Sequence, residues 1–152
     1  MHGRADRCQF CLRGLWLSSF LGACMGAGAS PMQDYMLYCM GCHGAQAQGV
    51  PGKVPPLAHA LSRFMRTAEG RDYVLRVPGA SSSPLTDAQL ADVLNWVAAT
   101  FDAPERPADR VQSFTAAEVT RSRHSPLASV LSTRTAVIKS LAASGQAPSV
   151  QY

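Results

Sequence analysis

Apolar residues recur with helical spacing over residues 87–101. Leu90, Val93, Leu94, Val97 and Ala98 occupy positions i, i+3, i+4, i+7 and i+8, the stripe of a helix that buries one face. Thr86-Asp87-Ala88-Gln89 opens this helix as a capping box, and Trp96 adds a large apolar surface beside the stripe. A second strong start stands at Ser30-Pro31-Met32-Gln33, with Ser as N-cap, Pro in the first position and Gln at the capping-box position. This predicts a helix over 31–40, with Asp34 in its first turn and Tyr35, Leu37 and Tyr38 as bulky residues for helix packing. Shorter helices are expected over 58–67, with Leu61, Phe64 and Met65 apolar, and over 69–77, with Tyr73, Val74 and Leu75. Glycines and prolines mark 44–56 and 78–84 as loops. No βαβ pattern is visible.

Beyond Phe101 the pattern changes. Residues 103–112 read as a linker, rich in Pro and charge, after a first domain at 30–102. A helical extension is expected over 113–152. Thr115-Ala116-Ala117-Glu118 forms a capping box with Phe114 as hydrophobic staple, opening a helix to about residue 123. Ser125-Pro126 starts another, with Leu127, Val130, Leu131, Ala136, Val137, Ile138 and Leu141 apolar. Arg121, Arg123, Arg134 and Lys139 outnumber Glu118 in this region. They are read first as the solvated basic face of an appendage wrapping the first domain. The competing reading is a surface that steers an acidic partner. His124 is expected at the surface, and the last residues, from Ser144, are expected to fray.

The first 29 residues carry an export pattern. Arg4, Arg7 and Arg13 form a positive start diluted by Asp6; 15–25 is an apolar core too short to span a bilayer; Ala27-Gly28-Ala29 is a small-x-small cleavage site. Within it, Leu21-Gly22-Ala23-Cys24 resembles a lipobox, which would tether the protein to a membrane through Cys24. Export places the protein in the periplasm.

Composition sharpens this reading. The chain of 152 residues suits a single domain and has 14 basic and 10 acidic residues. Removing the export segment leaves 11 and 9, a net charge of +2, so much of the basic balance belongs to the segment that is removed. With no basic stripe, nucleic-acid binding is not expected. Cleavage also takes away Cys8, Cys11 and Cys24, leaving Cys39 and Cys42 as the thiols of the mature protein. A leftover thiol is a liability in an oxidising compartment, so both must be used.

Cys39-Met40-Gly41-Cys42-His43 uses them. It reads C-x-x-C-H, the attachment signature of a c-type haem. Residues three apart share one face of a helical turn, so both thiols reach the same ring, and the adjacent imidazole reaches its iron. A zinc site would need four ligands, and beyond residue 30 only His59 and His124 are added to this set. Pro55-Pro56-Leu57 could bring a carbonyl to His43, since a ligating imidazole usually donates its other N–H.

With Pro56-Leu57 and the run 84–97, from Pro84-Leu85-Thr86 to Asn95-Trp96-Val97, this motif resembles a class I c-type cytochrome over roughly residues 31–101. The resemblance implies a small all-α fold with crossed N- and C-terminal helices and one covalent haem c. It also implies attachment after export, an exposed haem edge, and Cys39, Cys42 and His43 as the haem residues. Where such proteins carry a distal Met followed by Pro, this chain reads Val77-Pro78, and no Met or His lies between Met65 and His124. Three readings of the sixth iron ligand stay open: Met65, His59, or an open position. Met65 is the first choice, because Met with His is the usual pairing in a carrier.

The expected function is one-electron transfer between redox partner proteins, such as a dehydrogenase and an oxidase, with no catalytic residues. The alternative is a ligand-binding or weakly peroxidase-like haem protein with an open sixth position, for which His59, Arg63 and Arg66 are the polar groups near the distal segment.

Overall fold

The computed structural model describes residues 28–102 and 111–148. Nearly all of the segment expected to direct export, including Cys24, most of the expected linker at 103–112 and the last four residues lie outside the described residues. Among the described residues no helix is long and apolar enough to cross a membrane.

Eight helical elements follow one another, with no strand among the described residues: α1 Pro31–Tyr38, α2 Met40–His43, α3 Leu61–Phe64, α4 Ala68–Arg76, α5 Pro78–Ser81, α6 Asp87–Phe101, α7 Ala116–Ser122 and α8 Val130–Ala143. Both strong starts behave as their capping boxes dictate: Ser30 and Thr86 each accept from the backbone of the N3 residue, and Gln33 and Gln89 reach back. The expected helix over 31–40 is broken at Cys39, whose φ of −122° and ψ of −40° end α1 and begin the turn α2. The expected 58–67 helix shrinks to one turn, α3, because His59 sits at φ +58°, outside helical space. The loop expected at 78–84 contains the turn α5, started by Pro78 in its first position.

α1 packs on α6, as the resemblance implied for these two helices. Tyr35, 2% exposed, meets Trp96 at 5.5 Å and Phe101 at 5.8 Å between ring centroids, and Trp96 meets Phe101 edge-on at 5.6 Å. Each such pair adds about 0.5–1.5 kcal/mol beyond area burial. The predicted stripe of α6 is buried throughout.

The extension packs into this core. Phe114, Val119, Val137 and Leu141 are buried in the same cluster as the α6 stripe, α7 lies on α6, and α8 lies on α3 and α4. Asn95 grips the backbone of Phe114 twice: its Oδ1 accepts from the Phe114 N–H at 2.8 Å and its Nδ2 donates to the Phe114 carbonyl at 3.0 Å. Arg71 donates to both carboxylate oxygens of Glu118 at 2.6 Å and to the carbonyls of Gln112, Ser113 and Met65, with its guanidinium 4.3 Å from the Phe114 ring centroid. The capping box expected at Thr115 is therefore half made. Thr115 accepts from Glu118 N, but the Glu118 carboxylate is committed to Arg71, a charged partner that outcompetes a backbone N–H.

The basic face expected on the extension is corrected in part. Arg121 and Lys139 are exposed, but Arg123 and Arg134 are 6% and 9% exposed. Arg123 donates to Asp87 at 2.9 Å and to the carbonyls of Leu85 and Ser83 at 2.8 Å. It thus clamps α7 to the entry of α6. A periodicity argument assigns long cations to solvent; the tertiary contacts supply these two with buried oxygens and an aromatic face instead.

Candidate functional site

The site starts at the break in α1. Because α1 ends at Cys39 and α2 starts at once, Cys39, Cys42 and His43 fall on one short turn; the His43 N–H bonds the Cys39 carbonyl at 3.0 Å. Tyr35 fixes the far end of this turn by donating to the Gly44 carbonyl at 2.6 Å.

The loop after α2 then folds back over His43. Gly49 N–H bonds the His43 carbonyl at 2.8 Å, and Val50 and Val54 pair across a tight turn. Gly49 has φ +68°, and a Cβ there would run into the backbone of Val54 and Pro55. This close approach delivers the Pro55 carbonyl to His43 Nδ1 at 3.0 Å. A carbonyl can only accept, so Nδ1 carries the proton and Nε2 is left with its lone pair, the form in which an imidazole binds a metal. Burial holds the His43 pKa below its ordinary value, against the smaller opposing effect of the Pro55 hydrogen bond. The ring is neutral at physiological pH.

Cys39, Cys42 and His43 line one cavity of about 510 Å³. Its other walls are largely aliphatic and aromatic: Leu57 and Leu61, Phe64, Tyr73, Val77, and the α6 stripe from Leu90 to Val97. This volume lies in the roughly 300–1,000 Å³ range of cofactor pockets, whose walls are mostly apolar with a few placed polar groups. Cys42 is exposed and Cys39 half-buried, so one edge of the cavity reaches solvent at the thiols. Burial, with the Asp34 and Cys42 charges, pushes the Cys39 thiol up to about 11, so it is protonated at neutral pH. Among the described residues no group of three or more His, Cys, Asp or Glu side chains is placed to hold a metal ion. The donor set instead suits a planar macrocycle that brings its own ligands: two thiols on one face of a turn, one oriented imidazole and a deep apolar slot.

The remaining candidates lie elsewhere. Met65 is the C-cap of α3, 3% exposed within the core, and does not line the cavity. His59 is exposed, with its backbone N–H on the Phe101 carbonyl, and His124 is exposed on the turn after α7; neither lines the cavity. Val77 does line it, as do Tyr73 one helical turn earlier and Val130, Leu131 and Arg134 of α8. The reasoning from sequence missed these α8 residues. Their i, i+1, i+4 spacing marks a common face, but nothing in the sequence says what that face meets.

Comparison with known proteins agrees with the geometry. The family model described as cytochrome c matches residues 33–100. Cytochrome c-552 of Thermus thermophilus is 31% identical over 103 aligned residues, spanning 56% of this chain and 78% of that protein. A second cytochrome c-552, from Thermus thermophilus strain ATCC 27634, is likewise 31% identical over 103 residues, spanning 56% of this chain and 69% of the relative.

Proposed function

Because this chain belongs to the class I c-type cytochromes, all-α proteins that bind haem c covalently and carry electrons, we propose that it is an exported, periplasmic monohaem carrier of single electrons between redox partner proteins. In this reading residues 1–29 direct export, 30–102 form the cytochrome domain, and 113–152 form a helical extension joined through 103–112. Cys39 and Cys42 attach the haem and His43 is its proximal ligand. The group supplies a one-electron ferric/ferrous couple when bound. The protein's residues do the rest: the thiols fix the ring, the Pro55 carbonyl sets the His43 tautomer, and the apolar walls exclude water.

One observation carries this reading: Cys39, Cys42 and an imidazole oriented by the Pro55 carbonyl at 3.0 Å face the same apolar cavity. Outer-sphere transfer needs an accessible edge. Exposed Cys42 at the cavity, with Tyr38 (46% exposed) and Leu131 (76% exposed) lining it, offers such an edge to a dehydrogenase or oxidase. Expression with a haem-attachment system tests the proposal. The exported protein should gain the mass of one haem, keep it after denaturation, and cycle reversibly between two oxidation states. Cys39→Ala with Cys42→Ala should abolish retention; a haem held equally well by that variant would refute the assignment.

A second reading has its own observation. Among the described residues, neither a methionine nor a histidine other than His43 lines the cavity, and Val77 stands where a distal thioether is expected. This favours a sixth position open to a small ligand, hence ligand binding or weak peroxidase-like activity beside electron transfer. Rapid carbon monoxide binding by the reduced protein supports it, and failure to bind excludes it.

A further inference from the structure

The cavity is completed by a helix outside the region matched by the family model. α8 packs on α3 and α4, which contribute Leu61, Phe64, Tyr73 and Val74 to the cavity, and adds Val130, Leu131 and Arg134 from one of its own faces. Leu131 stands at the mouth, 76% exposed. Farther along α8, Val137 and Leu141 are buried in the core and hold the helix in place. The extension is thus a wall of the haem cavity as well as a cover for α6.

Arg134 is the unusual part of this wall. It is 9% exposed, and its guanidinium lies 5.4 Å from the centroid of the Phe64 ring, which stacks on Tyr73 at 5.6 Å. Lys53 also lines the cavity but is exposed. A guanidinium keeps its charge at any physiological pH and presents a planar fork of donors. Haem brings two propionate carboxylates into a pocket with otherwise few polar groups, and a carboxylate is the anion that matches that fork best.

We propose that Arg134 of α8 holds a haem propionate, so that the C-terminal extension is part of the haem site and is fastened to the cofactor. The proposal rests on the haem assignment of Cys39, Cys42 and His43. A positive charge held beside the ring favours the ferrous state, so Arg134 also sets the potential upward.

The test uses the full exported chain with haem attached, as wild type, Arg134→Gln and Arg134→Lys. Haem attachment is checked by mass, the propionate bending mode by resonance Raman, the midpoint potential by titration, and anion binding with azide on the ferric protein. In Arg134→Gln the propionate mode should shift and the potential should fall, with azide affinity unchanged. Arg134→Lys, which keeps the charge and most of the packing, should show the same changes in smaller measure and remains informative if the Gln variant does not fold. An unmoved propionate mode and potential would overturn the proposal. So would an azide affinity about tenfold weaker with the propionate mode unmoved, since the anion at Arg134 would then be an external ligand of the iron. A wild-type protein that retains no haem would refute the underlying assignment instead.

Discussion

Arg71→Leu removes the guanidinium that fastens the extension to α4. The wild-type side chain makes both Glu118 contacts at 2.6 Å and donates to three backbone carbonyls over the face of Phe114. Adding a separate value for each bond would overshoot, because they share one side chain. The better measure is the cost of breaking a buried pair by removing one partner, about 3–5 kcal/mol. The Arg71 and Glu118 side chains are 11% and 21% exposed, so water partly resolvates the orphaned carboxylate and the low end applies. We expect a loss of about 3 kcal/mol for Arg71→Leu. Glu118→Gln keeps the carbonyl contacts of Arg71 and should lose about 1–2 kcal/mol. Urea unfolding of both single variants and the double variant gives the coupling, expected at about 1–2 kcal/mol. An Arg71→Leu loss below about 1 kcal/mol, the value of an exposed pair, would refute the claim that this contact anchors the extension.

Met65→Ala should leave the visible spectrum of the ferric protein unchanged while costing about 2–5 kcal/mol in urea unfolding, because Met65 is a core side chain away from the cavity; loss of a far-red thioether band in this variant would show that Met65 ligates the iron after all. Acid should loosen the extension. Hydrogen bonds from Thr120 and Arg123 hold the Asp87 carboxyl below its ordinary range, and the Arg71 hydrogen bond does the same for Glu118. Groups with depressed folded values contribute stability above their unfolded pKa and lose it as pH falls, so the hydrogen-exchange protection factors over α7, corrected for the intrinsic rate at each pH, should drop below about pH 4 and stay level from there to neutrality. Gly49→Ala places a Cβ against the Val54 and Pro55 backbone at φ +68° and should cost about 1–3 kcal/mol, with a lower yield of attached haem; unchanged yield and stability would mean that the loop yields without displacing the Pro55 carbonyl.

Local chemistry made the central parts of this protein legible. Ser30 and Thr86 begin their helices where the capping boxes say, because a cap is satisfied within four residues of chain. The stripe from Leu90 to Ala98 is buried as its spacing requires. Cys39, Cys42 and His43 share one turn, and the Pro55 carbonyl meets His43, because a short glycine-bearing loop leaves the chain little other course. What the sequence alone could not determine is which of several chemically suitable side chains meet across long separations. Met65 and Phe64 are adjacent and both apolar, yet only Phe64 lines the cavity, since neighbouring residues in a helical turn point to different sides. Arg123 and Arg134 look like surface cations in a basic helical tail. Tertiary packing buries them, one on Asp87 and the carbonyls before α6, the other beside Phe64 in the cavity wall. Burial of a charge is decided by the oxygens and rings that other elements bring to it, and that pairing appears only when α7 settles on α6 and α8 on α3 and α4.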